Sequence, residues 1–138
     1  MGTAKGGGGV ISLGACITIN ETEHEAADPL PAIATAIDGN EPYLEIWLNK
    51  SEGKAISALI NRDFAFLILM TPDCPEGWHS VSDIPSETSS QMLNFRLGNG
   101  QLDQFPKNWC VQRDSAKAVF EEYWQSERRP ISIKWKYD

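Results

Sequence analysis

Long hydrophobic runs are absent from this sequence. The longest, FAFLILM at 64–70, has seven residues, whereas a helix that crosses a membrane needs about 20. Seven apolar residues suit a buried strand. The first residues carry a glycine run, KGGGGV at 5–10, without the basic and apolar stretches of a secretory signal peptide. The sequence therefore predicts neither membrane association nor secretion.

Cysteine is also scarce. The three cysteines, Cys16, Cys74 and Cys110, are an odd number and form no CxxC pair. This argues against a disulfide framework and favours a reducing, cytoplasmic location. A zinc site requires four ligands at characteristic spacings, and the two histidines, His24 and His79, lie scattered among the cysteines. We therefore expect no metal and no other cofactor.

Positive charge is in deficit. Lysine and arginine number 12 against 19 aspartates and glutamates, which gives a formal charge of −7. A nucleic-acid-binding protein needs a basic face, so this class is not expected. The acidic residues concentrate in NETEHEAAD at 20–28 and in the segment 73–87. Solvation explains many such clusters, but an acidic face also complements a basic protein partner.

Three strand-like segments follow one another with short polar breaks: YLEIWLN at 43–49, KAISALI at 54–60 and FAFLILM at 64–70. Breaks of this length predict hairpins and hence an antiparallel meander. The third segment is apolar on both faces, so we expect it inside a sheet that is covered twice. The turn GNG at 98–100 predicts a second hairpin, between MLNFRLG and QLDQF.

Two further segments have helical spacing. DPLPAIATAIDG at 28–39 has a proline in its first turn and a glycine at its end, and DSAKAVFEEYWQ at 114–125 places its apolar residues on one stripe. Strands are also predicted within VISLGACITI and ISIKWK, near the two ends of the chain. Together the elements predict one α+β domain over residues 10–138, after a disordered tail at 1–9. Its sheet is mostly antiparallel and five- or six-stranded, a meander plus a hairpin, with two helices packed on it.

Residues 71–91 lose all periodicity. The stretch TPDCPEGWHSVSDIPSETSSQ has three prolines and many serines and threonines, which predicts a loop of about 20 residues. Loops of this length tend to be functional. Its acidic residues and one aromatic pair are candidates for a protein interface: Asp73, Glu76, Trp78, His79, Asp83 and Glu87.

Cys74 and His79 lie five residues apart in this segment and invite comparison with a nucleophile and its base. Such a pair must converge and usually needs a third group that orients it, and no nucleophile motif surrounds Cys74. Glu45 shares a strand face with Tyr43 and Trp47, where a cross-strand pair with a lysine or arginine is the ordinary explanation. We therefore expect no catalytic site and keep a Cys74–His79 hydrolase as the least favoured alternative.

Tryptophan is abundant, with five in 138 residues. Trp124 lies on the apolar stripe of the second helix and Trp135 in the last strand, so both are predicted in the core. Trp109 is expected at a corner between a strand and that helix. The roles of Trp47 and Trp78 are left open, and Trp47 and Glu45 join the candidates for a protein interface. Trp78 either anchors an interface, where tryptophan is enriched, or folds back and pins its loop to the sheet.

The order of several motifs resembles the Imm-one family of bacterial polymorphic-toxin immunity proteins, often encoded beside deaminase-type toxins. The dipeptide GW is followed by FRLGNGQLDQFP, by AKAVFEEYWQSERRP and by ISIKW. The resemblance covers residues 41–136. Its most specific positions are Gly77, Trp78, Arg129, Pro130, Ile133 and Trp135.

The resemblance implies a binding protein that stays in the cytosol of the producing cell and neutralises a nuclease- or deaminase-like toxin domain. It would act by stoichiometric occlusion in a 1:1 heterodimer, without catalysis, cofactor, nucleic acid or membrane. Trp78, as part of the shared motif, then becomes a fold anchor, and its acidic neighbours become the stronger interface candidates. An adaptor or chaperone that escorts a secreted effector without blocking it is the alternative.

Overall fold

One long sheet organises the chain. The computed structural model describes residues 15–51, 53–82, 91–126 and 128–137, so the expected tail at 1–9 lies outside the described residues. Along the chain the elements are β1 (Ala15–Ile19), β2 (Thr22–Ala26), α1 (Leu30–Asp38), β3 (Tyr43–Ser51), β4 (Lys54–Asn61), β5 (Phe64–Thr71), β6 (Cys74–Val81), β7 (Met92–Arg96), β8 (Leu102–Pro106), β9 (Val111–Gln112), α2 (Ser115–Ser126) and β10 (Lys134–Tyr137).

The main sheet has the strand order β10-β6-β5-β4-β3-β1-β2, with the short β9 beside β5. Its strand pairs are antiparallel, and β7 and β8 form a separate hairpin. The predicted α+β class, the meander and the two helices are thus confirmed. Over the part of the chain that the structure describes, the main sheet has eight strands rather than five or six. Among the described residues, no helix combines the length and apolarity that a membrane crossing requires.

The prediction of one loop over 71–91 was wrong for its first half, because Cys74–Val81 is strand β6. The turn-forming residues that suggested a loop sit where a strand tolerates them. Pro75 is at the start of the strand, and Gly77 lies beside a register shift between Leu69 and Thr71 of β5. Trp78 and His79 pair with β5 on one side and with β10 on the other, which satisfies this part of the backbone.

The two helices cover one face of the sheet. From the strands, side chains such as Ile46, Ile56 and Leu67 are fully buried against Ile33 of α1 and Phe120 of α2. Each buried Ile or Leu contributes about 1.5–3 kcal/mol through the apolar area that it removes from water. Trp124 and Trp135, predicted in the core, are half-buried and pack against its edge.

The β7–β8 hairpin covers part of the opposite face. Phe66 of β5 and Phe95 of β7 are buried there, and the ring of Phe105 stacks on Phe66 with 4.0 Å between centroids. Trp109, at the end of a 3-10 turn after β8, joins this second cluster. β5 is therefore apolar on both faces because helices cover one and the hairpin covers the other.

Arg113 links the end of α1 to the β4–β5 turn through hydrogen bonds. Its guanidinium donates from Nε to the carbonyl oxygen of Ile37 at 2.7 Å, from Nη1 to that of Arg62 at 3.1 Å and from Nη2 to that of Gly39 at 3.4 Å. These carbonyls belong to the end of α1 and to the β4–β5 turn. Arg113 therefore fixes α1 relative to the sheet.

Candidate binding surface

Trp78 and His79 are consecutive residues of β6, so their side chains point to opposite faces of the sheet. Trp78 lies on the helix side and is half-buried against the main core. His79 lies on the hairpin side and is only 8% exposed. The sheet therefore places the two side chains on opposite faces, and a role for His79 in an interface stays a prediction.

Trp78 forms an aromatic and cationic stack at the β10 end of the sheet. The Arg129 guanidinium lies 4.1 Å from the centre of its ring, and the Tyr137 ring is 5.1 Å away. Nearby, Trp135 donates its Nε1–H to the carbonyl oxygen of Pro130 at 2.8 Å. The GW dipeptide and the C-terminal motif, distant in sequence, thus meet at paired strands, where Tyr137 faces Trp78. A role for Trp78 in contacting a partner stays a prediction.

Pro130 and Ile133 complete this packed unit. Pro130 is buried, and Ile133 is 7% exposed as part of the main core. Strand β10 begins only at Lys134, so Ile131 lies before it and is 91% exposed.

Gly77 has a backbone that few other residues could adopt. Its φ is +100°, and a Cβ placed on it would lie 2.8 Å from Cγ2 of Ile68. Both facts require glycine, the first because of the left-handed backbone and the second because of the close approach of β5. Gly77 therefore serves the pairing of β6 with β5.

The suggested Cys74–His79 pair does not converge. The two residues are five apart along a strand that rises about 3.3 Å per residue, so their backbones lie about 16 Å apart. The Nδ1 atom of His79 is 2.8 Å from the carbonyl oxygen of Ser80, and its ring stacks on Trp109 with 4.1 Å between centroids. The geometry gives Cys74 no base at this position.

The described residues support neither a metal site nor a reactive thiol at Cys110. Within the described ranges, no group of three or more His, Cys, Asp or Glu side chains is placed to hold a metal ion. Burial raises the pKa of Cys110 to about 12, so this thiol stays protonated and unreactive near neutral pH.

Glu45 has a different role from the one expected. Its cross-strand neighbour on β4 is Leu59 rather than a lysine or arginine. Oε2 accepts a hydrogen bond from Nε1 of Trp47 at 3.0 Å, and Oε1 accepts one from the backbone N–H of Gly98 at 2.9 Å. The side chain of Asn20 in turn accepts the Glu45 N–H at 2.8 Å. Glu45 thus fixes the Trp47 indole and ties the turn of the β7–β8 hairpin to the sheet.

Asp73 and Glu76 are exposed at the β5–β6 turn and the start of β6. Beside them, Pro72 and Pro75 help to line a groove of about 200 Å³. The remaining lining residues come from the β3–β4 turn and from strands β3 to β5: Asn49, Gly53, Lys54, Ala55, Met70 and Thr71. The other acidic candidates, Asp83 and Glu87, lie outside the described residues.

The acidic segment 20–28 contains strand β2 at the edge of the sheet. The residues of β2 are exposed apart from the half-buried Ala26. Charged side chains that alternate along a short strand are a common way to protect a sheet edge. The alternation in TEHEA was therefore the signal that could have identified this strand.

The family model described as immunity protein Imm1 matches residues 15–137, which spans β1 to the end of β10. A comparison with curated proteins found no match.

Proposed function

The chain belongs to the Imm1 family of immunity proteins, and from this premise we propose that it neutralises one cognate bacterial toxin domain of the nuclease or deaminase class. The proposed complex is a 1:1 heterodimer formed in the cytoplasm of the producing cell. The immunity protein covers the active or substrate-binding surface of the toxin and uses neither catalysis nor a cofactor. The observation that carries the proposal is the family match over 15–137.

The charge of the protein supports this assignment. A toxin domain that acts on nucleic acid needs a basic surface for its substrate, and a chain with a formal charge of −7 is attracted to such a surface. Complementary charge accelerates association and disfavours wrong partners. Asp73 and Glu76 are exposed beside an apolar groove, and an apolar centre with a charged rim is the usual arrangement of a protein interface.

The proposal is tested by co-expression with the toxin domain encoded by the adjacent gene. We expect the two proteins to co-purify as a 1:1 complex and the toxicity of the domain to be relieved. A toxin that stays lethal and does not bind would refute the proposal. If the two bind but toxin turnover in a purified assay is unchanged, the protein is an adaptor or chaperone instead.

Charge reversal tests the contribution of Asp73 and Glu76. The double variant Asp73→Lys/Glu76→Lys should associate more slowly with the toxin domain and show a weaker dependence on salt. An unchanged association rate at low salt would place the interface elsewhere on the molecule.

A further inference from the structure

The β7–β8 hairpin covers one end of the sheet face opposite the helices. At this end Asn61 of β4 donates its side-chain N–H to the Asn94 carbonyl at 2.7 Å, and Glu45 accepts the Gly98 N–H. Farther along the same face, Asn49 on β3 is exposed. The face therefore has a covered end and an accessible end, which extends to the edge strand β2.

Strand register defines the composition of the accessible end. Thr18 of β1 lies between Glu23 of β2 and Trp47 of β3. One row farther, Cys16 lies between Glu25 and Asn49. Ile17 and Leu48, which lie between the two rows on β1 and β3, are buried on the helix side, so the two rows share the opposite face. We call this surface the open face: Cys16, Thr18, Glu23, Glu25, Trp47 and Asn49.

The open face combines an aromatic centre with acidic edges. Trp47 is half-buried, and the hydrogen bond from its Nε1 to Glu45 holds the indole in one orientation. A tryptophan with a fixed orientation loses little entropy on binding, which suits an interface anchor. Glu23 and Glu25 are exposed beside it.

The second row of the open face continues into the groove. Asn49 pairs with Ala55 of β4, and Ala55 pairs with Met70 of β5, and all three line the groove of about 200 Å³. Ala55 is buried, whereas Met70 is half-buried. The small alanine leaves a depression that the flexible methionine can reshape around an apolar side chain. Acidic and apolar features thus belong to one continuous surface.

We propose that the open face and the adjoining groove form the docking surface for the toxin domain, which contributes lysine or arginine side chains to Glu23 and Glu25 and an apolar side chain to the groove. This inference rests on the proposed function and adds the location and chemistry of the contact. From Glu25 on β2 to Ala55 on β4 there are three strand-to-strand steps of about 4.8 Å, so the basic and apolar groups of the toxin lie about 14 Å apart.

The local electrostatics agree with a basic partner. Partial burial is the largest cause of the raised pKa of the Cys16 thiol. The hydrogen bond with Glu23, the charge of Glu23 and the charge of Glu25 raise this pKa further. A thiol whose ionisation is opposed by neighbouring carboxylates reports a negative potential at the surface. A cation brought to the same place is stabilised by that negative potential.

Binding to the purified, catalytically inactivated toxin domain of the adjacent gene tests the inference. Glu23→Lys/Glu25→Lys should weaken the affinity by about tenfold or more and reduce its salt dependence, since it reverses the charges that attract the partner. The matched control Glu41→Lys/Glu121→Lys changes two exposed carboxylates outside the open face and should bind within about twofold of the unmodified protein.

Two further measurements keep folding separate from binding. Glu23→Gln/Glu25→Gln removes the charges without adding repulsion and should give an intermediate loss. Hydrogen exchange on the full-length complex should show protection of the β2 amides, because β2 is the outermost strand on its side of the sheet. If the unmodified protein binds while the Glu23/Glu25 variants bind equally well and β2 gains no protection, the docking surface is wrong and the proposed function stands. If the unmodified protein fails to bind, both proposals fall.

Discussion

The guanidinium of Arg129 lies over the indole ring of Trp78, 4.1 Å from its centre. Trp78 belongs to β6 and packs against the main core, while Arg129 precedes β10. The stack therefore connects the edge strand of the sheet to its neighbour. It is also the point where the two most specific motifs of the sequence meet.

Removing Trp78 should cost far more stability than removing Arg129. Trp78→Ala takes away a large side chain that contacts the core, and we expect the free energy of unfolding to fall by about 3 kcal/mol. Arg129→Ala removes a cation–π contact at an exposed position and should cost about 0.5–1 kcal/mol. Urea denaturation of both variants measures the difference. Equal losses would contradict the view that Trp78 anchors the fold.

Gly77→Ala should destabilise the protein through two separate effects. The left-handed backbone strains any side chain, which costs about 1 kcal/mol, and the new Cβ would lie 2.8 Å from Ile68. Gly100 is a matched control, because its φ is +91° and nothing lies within 4 Å of a Cβ placed there. In thermal unfolding, Gly77→Ala should therefore lower the Tm more than Gly100→Ala. The same Tm for both would show that the contact with Ile68 is relieved without cost.

The parts of the fold with strong periodicity could be predicted from the sequence. The meander of β3, β4 and β5 and the helix α2 bury continuous apolar stripes, and local pattern alone specifies them. Strand β6 could not be recognised in this way. It contains Pro75 and Gly77, and it is a strand because β5 and β10 pair with it, a tertiary effect that overrides local preference.

The charge of the proposed docking surface can be read from the sequence, where the acidic composition is compatible with a basic partner. Its location cannot, because sequence alone does not show that Glu23 and Trp47 share a face. Their alignment depends on the register of β1 with both neighbours. The role of Glu45 was misread for a similar reason. Its partner Gly98 is 53 residues away along the chain, and local patterns carry no information about such a contact.

Glu45→Gln should loosen the β7–β8 hairpin. The carboxylate accepts from two N–H donors, those of Trp47 and Gly98, whereas an amide offers one oxygen and turns its NH₂ towards the second donor. Leaving one partly buried donor unsatisfied costs about 1–3 kcal/mol. We expect hydrogen exchange to accelerate in β7 and β8 while the helix-facing core keeps its protection. Glu76→Gln, which changes an exposed carboxylate, is the control and should leave exchange unchanged.

The thiol of Cys16 provides a chemical probe of the open face. Burial, the hydrogen bond with Glu23 and the charges of Glu23 and Glu25 all raise its pKa, so less thiolate is present at a given pH than for an ordinary cysteine. Glu23→Gln removes one of these charges and should lower the pKa. At any pH below the folded-state pKa the thiolate fraction then rises, and alkylation by iodoacetamide becomes faster because the thiolate is the reactive form.

The pH–rate profile of alkylation, resolved by mass spectrometry of the Cys16 peptide, measures this shift. The midpoint for Glu23→Gln should move to lower pH, and that for Glu25→Gln should move less, since Glu25 acts through its charge alone. Cys74 and Cys110 are buried and serve as internal controls that should react slowly in each variant. Coincident profiles for Glu23→Gln and the unmodified protein would show that Glu23 does not set the potential at this surface, and they would remove the electrostatic support for a basic partner there.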